Sequence, residues 1–487
     1  MASDMSARMA AVFSSDRPVS FGERLRLVAS LSWPAIMAQL SSILMEYIDA
    51  AMVGSLGANA SASIGLVATT TWLFWGMGGA LATGYSVQVA HSIGAKRADD
   101  ARSVLQQSLL AVFLLGIVLL FIGTIISGRL PVWLGGNADI NSGASAYFLV
   151  VMLSLPFCYM TYLSSGMLRC AGNMIVPGLL NILMCVLDVV FNFFLIFPRH
   201  EFLGIEFPGM GLGVVGAAIG TALAQIITGV ALLWFMLRKS VHLNFVGRKF
   251  RLFISMPTLK KACTISAPIA AERVMMCGAQ IITTIIVAPL GTAAIAANAF
   301  GITAESLCYM PGYGIADAAT TLVGQSLGAG RKDIAKSFGN ITIALGIAVM
   351  TLMGIILWQC APLLMSMFTP DIMVRNLGTE ALRIEAFAEP MFAASIVTYG
   401  VMVGAGYTLV PACINLVSIW VVRLSLAALL APVMGLNGVW LAMCIELCVR
   451  GIAFLVTFWR NKWMRTLVIM PQAETDEIDI REEPFEL

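Results

Sequence analysis

The chain has 487 residues, of which 59% are hydrophobic and only 11% charged, whereas soluble domains carry about 25% charged residues. A water-soluble enzyme of one to three domains is therefore excluded. The net charge of +2 hides a division, because the last fourteen residues hold seven acids against Arg481 alone, and the remainder holds 28 basic and 20 acidic residues.

In chain order, the residues up to Arg26 are polar and basic and lack the apolar core and small-residue cleavage site of a signal peptide, so the first hydrophobic segment is expected to stay as an anchor. Residues 21–29 read as a basic interfacial helix leading into the first span. Twelve apolar runs of about 20 residues or more follow, each long enough to span a bilayer as a helix. They fall at 30–53, 61–88, 104–126, 145–168, 176–197, 214–236, 264–288, 294–323, 338–360, 386–407, 412–432 and 437–458. Lys96, Arg97, Arg102, the 238–261 connection, Arg331, Lys332 and Lys336 collect on one side, which the positive-inside rule makes cytoplasmic. Both termini, the acidic tail included, are then expected inside the cell.

Sliding the sequence by 234 residues superposes its halves. VAHSIGAKRADDARS (89–103) meets VGQSLGAGRKDIAKS (323–337), Pro34 meets Pro268, Pro156 meets Pro390, and Asn181 meets Asn415. Six spans per half give both halves the same orientation, related by an axis along the membrane normal. The expectation is an all-α integral membrane protein with twelve transmembrane helices in two pseudo-symmetric lobes. Its parts are a cytoplasmic segment (1–29), an N-lobe (30–236), an interlobe linker (237–263), a C-lobe (264–458) and an acidic cytoplasmic tail (459–487). Two bundles joined by one connection suit alternating access.

Ionisable residues inside spans are costly and mark function. Ser42, Glu46 and Asp49 form one stripe on the first span, and Asn181, Asp188 and Asn192 another on the fifth. Asp49, Asp188, Asn192 and Thr221 of the sixth span then stand at one depth, a donor set for a hard cation or shared protons. The alternative is a hydrogen-bond network that only holds the bundle together. Glu272, Thr283 and Asp317 are candidates to line a cavity in the second half, with Glu46 and Asn181 in the first. Glu446 and Arg450 are spaced to neutralise each other, and Arg423 has no local partner. Ten scattered cysteines and three distant histidines suggest neither disulfides nor a metal centre. GLGVVG (211–216) formally matches GxGxxG, but without a strand-turn-helix context it reads as an external loop opening a helix. No HExxH or comparable catalytic constellation is visible, so an enzyme is not expected.

DAAMVGSLG (49–57), the paired S-x-G-A-x-R loops, GMLRCAGN (166–173), GVVGAAIGT (213–221) and GVMVGAGYT (400–408) together resemble the multidrug and toxic compound extrusion (MATE) family of prokaryotic type. The resemblance implies a secondary antiporter that exports organic cations and other toxic compounds by a rocker switch, driven by H+ or Na+. It places the coupling aspartate at Asp49 and the family threonine at Thr221. It also implies small, cationic, amphipathic substrates, no cofactor beyond the coupling ion, no nucleic acid, a monomer, and the inner membrane. Two departures stand out: the usual N-x-x-x-D of the fifth span is Asp188 then Asn192, and Tyr407 replaces an acid common in the family. A lipid-linked precursor flippase of the same broad fold, or an uncoupled channel, is the alternative.

Overall fold

The computed structural model describes residues 9, 12, 20–202, 205–247 and 253–465, without the side chains of 199–202, 205–208 and 465. Most of the N-terminal segment and most of the acidic tail lie outside the described residues, as does part of the interlobe connection.

The apolar runs become long helices: α1 (Phe21–Gly54), α2 (Ala58–Gly94), α3 (Ala98–Ser127), α4 (Ala138–Cys170), α5 (Ile175–Ile196) and α6 (Gly213–Lys239) in the first half. The second half holds α7 (Met256–Val287), α8 (Thr292–Gly328), α9 (Lys332–Phe368), α10 in two arms (Ile372–Glu385 and Glu389–Gly404), α11 (Leu409–Met434) and α12 (Leu436–Trp459). Ten are long and apolar enough to cross a membrane, and the bent pair of α10 makes an eleventh. The twelfth, α8, spans about 55 Å at 1.5 Å per residue but carries Glu305 and Asp317, which lower its apolarity.

Residues 21–29 are continuous with α1, whose start is fixed by a capping box in which Ser20 and Glu23 exchange side-chain and backbone bonds. Three features depart from a set of straight spans. The loop before α6 contains an antiparallel hairpin, Pro198–Phe202 with Ile205–Met210, so one element is not helical. The arms of α10 meet at 60° across Ala386–Ala388, where Pro390 cannot donate the amide hydrogen that would continue the helix. Inside α11, Ser418–Arg423 form a π-helical turn, the kind of local widening often tied to function.

Each half builds its own apolar core. One gathers Tyr85, Phe148, Tyr159 and Leu163; the other gathers Leu357, Leu382 and Trp440. The halves meet through α1 on α8, α7 on α2, and α2 on α8, pairs that exchange under the 234-residue repeat.

The repeated S-x-G-A-x-R loops lie where α2 and α8 cross. A Cβ on Gly94 would sit 2.0 Å from the Gln325 carbonyl oxygen, and one on Gly328 would sit 2.1 Å from that of His91. Around this crossing the Gln325 amide donates to the Cys170 carbonyl at 2.7 Å, Thr321 donates to the Arg169 carbonyl, and His91 Nε2 lies 2.9 Å from the Gly404 oxygen. Arg169 Nη1 meets Asp317 Oδ2 at 2.6 Å. These bonds join the halves at the end that carries Lys96, Arg97, Arg331 and Lys332, called the basic end below.

Candidate functional site

A cavity of about 850 Å³ opens among α1, α2, α4, α5, α6 and α8, with Glu46, Asp49, Asn181 and Thr221 in its wall beside Trp72, Trp75 and Met184. Asp188 and Asn192 stand immediately behind that wall and are fully buried. The Asn192 amide nitrogen donates to Asp49 Oδ1 at 2.8 Å and to Asp188 Oδ2 at 3.1 Å, tying α5 to α1. Thr221 on α6 and Tyr147 on α4 are the next polar groups around the acids. The four residues of the expected donor set thus come together.

Local sequence explains why. The spacing of four between Asp188 and Asn192 keeps both on the face toward α1 and α6, and small residues of α6 allow close approach. A Cβ on Gly220 would lie 2.0 Å from Asn192 Oδ1. Replacing Gly220 with Ala is expected to displace the Asn192 amide and weaken its bond to Asp49. Overpacking of this kind costs about 1–3 kcal/mol; an unchanged melting temperature of the purified protein together with unchanged transport would contradict it.

Two oxygens here lack partners: Asp188 Oδ1 and Asn192 Oδ1 are buried without a hydrogen bond. Buried polar atoms are seldom left so. Carboxylate, amide and hydroxyl oxygens suit a hard cation or a shared proton, and here they adjoin an open cavity.

Asn181 has another use. It donates to the Ala38 carbonyl at 2.8 Å and to Ser42 Oγ at 2.9 Å, two turns from the acid pair, and so clamps α5 to α1. Its repeat partner Asn415 donates instead to Glu272 Oε1 at 2.7 Å, and Tyr399 OH donates to Glu272 Oε2 at 2.9 Å. Glu272 is the repeat equivalent of Ala38, so one asparagine position holds a backbone carbonyl in one half and a carboxylate in the other.

Glu272 and Asp317 line a second cavity, of about 290 Å³, between the halves, together with Arg169, Arg273 and Arg450. Thr283 lines neither cavity: its hydroxyl donates to the Ala279 carbonyl one turn back. As the repeat equivalent of Asp49, it marks where the second half lacks an acid.

Arg423 finds its partner across helices. The π turn of α11 brings Arg423 Nη2 to Glu446 Oε2 at 2.9 Å and Ser418 Oγ to Glu446 Oε1 at 2.6 Å, while Arg450 Nε lies 3.2 Å from Oε1. Sequence reasoning missed Tyr147, Glu385 and Glu389. The two glutamates flank the break of α10, outside or at the edge of the apolar run, and only the bend carries them into the interior.

Among the described residues, twelve long helices in two repeated halves around internal cavities make the architecture of a multi-pass membrane protein. The MatE family model matches residues 34–194 and 268–429, the two repeat units. The chain belongs to the MatE family. A probable multidrug resistance protein NorM of Thermotoga maritima is 28% identical over 446 residues, covering 90% of this chain and 93% of that one. One of Pseudomonas syringae pv. tomato is 26% identical over 459 residues, covering 91% and 96%. Among solved structures, a MATE in complex with MaL6 superposes with a TM-score of 0.85 at 20% identity, covering 94% of this chain and 99% of that one. The Vibrio cholerae MATE transporter VcmN does so with a TM-score of 0.81 at 18% identity, covering 91% and 99%.

Proposed function

We propose that the protein is a cation-coupled antiporter of the inner membrane that exports amphipathic organic cations, with H+ or Na+ bound at Asp49, Asp188, Asn192 and Thr221. The observation that carries this reading is the pair of buried, unpartnered oxygens of Asp188 and Asn192 against Asp49 at the wall of the large cavity. An ion or proton taken up there competes with a cationic substrate for the negative charge of Glu46 and Asp49. Reciprocity requires each ligand to weaken the other. The bonds at the basic end, taken as cytoplasmic, hold the lobes together on that side, and a rocker switch would break Arg169–Asp317 first.

A lipid-linked precursor flippase is disfavoured by charge. Among the described residues the large cavity is lined by two acids and Arg169 as its one basic residue, a poor receptor for pyrophosphate.

Transport by purified protein in proteoliposomes, under an imposed Na+ gradient and then an imposed pH gradient, tests the proposal. Asp49→Asn and Asp188→Asn should each lower gradient-driven export of a lipophilic cation by at least tenfold, the effect of about 1.4 kcal/mol of lost coupling. Wild-type rates in both variants would remove the assignment. Arg169→Ala should leave ion binding intact while speeding opening at the basic end; a part-exposed pair of this kind is worth about 1 kcal/mol. Its effect would be read as greater thiol labelling of Cys170.

A further inference from the structure

Three arginines line the cavity between the halves, and two of them have partners. Arg169 pairs with Asp317 at 2.6 Å, and Arg450 pairs with Glu446 at 3.2 Å while its guanidinium lies over the Phe392 ring. Arg273 of α7 makes no hydrogen bond or ion pair among the described residues. It is also the most exposed of the three, and it opens on this cavity.

Its depth makes the missing partner costly. Arg273 lies about 25 Å along α7 from Met256, near the middle of the helix. Charged side chains at such depth are expensive, face a bundle interior or a water-filled cavity, and mark substrate paths. A Cβ on Gly76 of α2 would lie 3.3 Å from Arg273 Cγ, so the side chain packs across the seam against a position of the other lobe that carries none. Glu272, Cys277, Tyr313 and Tyr399 are the groups within electrostatic reach. Glu272 does not hold the arginine, because its two oxygens accept from Asn415 and Tyr399. The hydroxyl of Tyr313, in the same wall, likewise makes no hydrogen bond among the described residues.

The repeat shows what this arginine adds. Counting back 234 residues, Glu272 and Arg273 correspond to Ala38 and Gln39. Gln39 lines the same cavity from the other lobe and donates across it to Asp317 at 3.5 Å. One position facing the cleft in both lobes is thus a neutral amide with a partner on one side and a cation without one on the other. The scaffold alone is served by the amide.

We propose that Arg273 is an anion subsite of the transport path and takes the carboxylate of an amphipathic substrate, with the Tyr313 hydroxyl as a further donor. The inference rests on the reading of the protein as an exporter of amphipathic cations and extends its substrates to zwitterions, whose cationic end lies toward Glu46 and Asp49. Gln39, Tyr162 and Arg169 line both cavities, so the two adjoin and one molecule can reach both charges. The guanidinium is a planar fork that meets a carboxylate in two parallel bonds. A phosphate dianion fits less well: one unpaired guanidinium balances one negative charge, and Glu272 stands beside it.

Equilibrium binding to the purified full-length protein in detergent tests this with two dyes that differ at one group. Rhodamine 6G is a cationic ethyl ester, and rhodamine 19 is the same dye with the free carboxylate. Arg273→Gln should raise the Kd of rhodamine 19 about tenfold or more, equivalent to about 1.4 kcal/mol, and leave that of rhodamine 6G within about twofold. Arg273→Lys, which keeps the charge and loses the fork, should fall between. An equal change for both dyes, or no change for either, overturns the proposal. If Arg273→Gln does not fold, Arg273→Lys carries the test alone, and it must weaken rhodamine 19 more than rhodamine 6G. Wild-type protein that binds the ester but not the acid removes this subsite only, whereas wild-type protein that binds neither removes the exporter reading with it. Because no gradient is imposed, a failure of H+ or Na+ coupling at Asp49 and Asp188 leaves the comparison intact.

Discussion

Glu446→Gln is expected to unfold the C-lobe far more readily than any surface substitution. The carboxylate accepts a hydrogen bond from Ser418 at 2.6 Å, forms ion pairs with Arg423 at 2.9 Å and Arg450 at 3.2 Å, and is wholly buried. Glutamine keeps the shape and one acceptor but removes the charge, leaving Arg423 and Arg450 without the carboxylate they both pair with. Breaking a buried ion pair by removing one partner costs about 3–5 kcal/mol. The loss should appear as a large fall in the melting temperature of the detergent-solubilised protein. Glu380→Gln serves as the control: it lies at the surface and accepts from Asn437, and exposed polar pairs contribute about 0–1 kcal/mol. Equal melting temperatures for the two variants would show that the cluster carries little of the lobe's stability.

The second large effect belongs to the crossing of α2 and α8. Gly94→Val, and more so Gly94→Val with Gly328→Val, places branched carbon where only hydrogen fits, about 2 Å from a backbone oxygen of the facing helix. No side-chain rotation relieves an overlap with backbone. The helices must separate, at a cost of about 1–3 kcal/mol for each substitution, equivalent to a shift of roughly 5–150-fold between conformations. The basic end should open, and Cys170, buried there with its carbonyl bonded to Gln325, should become reactive toward a membrane-permeant maleimide. Peptide-level mass spectrometry separates its labelling from that of the exposed Cys263 and Cys413. Labelling at the wild-type rate would mean that the crossing does not hold this end closed.

Both expectations use features partly visible in the chain itself. The repeated S-x-G-A-x-R loops were legible as a duplication, but not as the point at which the halves touch, because the sequence does not state that Gly94 faces Gln325 while Gly328 faces His91. The spacing of Glu446 and Arg450 was legible as a helical pair; the third member, Arg423, reaches them only through a π turn.

The N-lobe acids show the same boundary. Asp188 and Asn192, four apart, share a face by helical geometry alone, and the stripe of Ser42, Glu46 and Asp49 follows from spacings of four and three. Asn181 lies on the same stripe as Asp188 but two turns away, where it serves as a clamp.

By itself, then, the sequence determined the membrane environment, the helical class and the duplication, since these depend on composition, run length and register. Tertiary structure decided which polar groups meet. Asn415 captures Glu272 where Asn181 captures a carbonyl, and the break at Pro390 turns Glu385 and Glu389 inward while Pro156 leaves α4 whole. These outcomes depend on the packing of helices distant in the chain, and local periodicity carries no information about it.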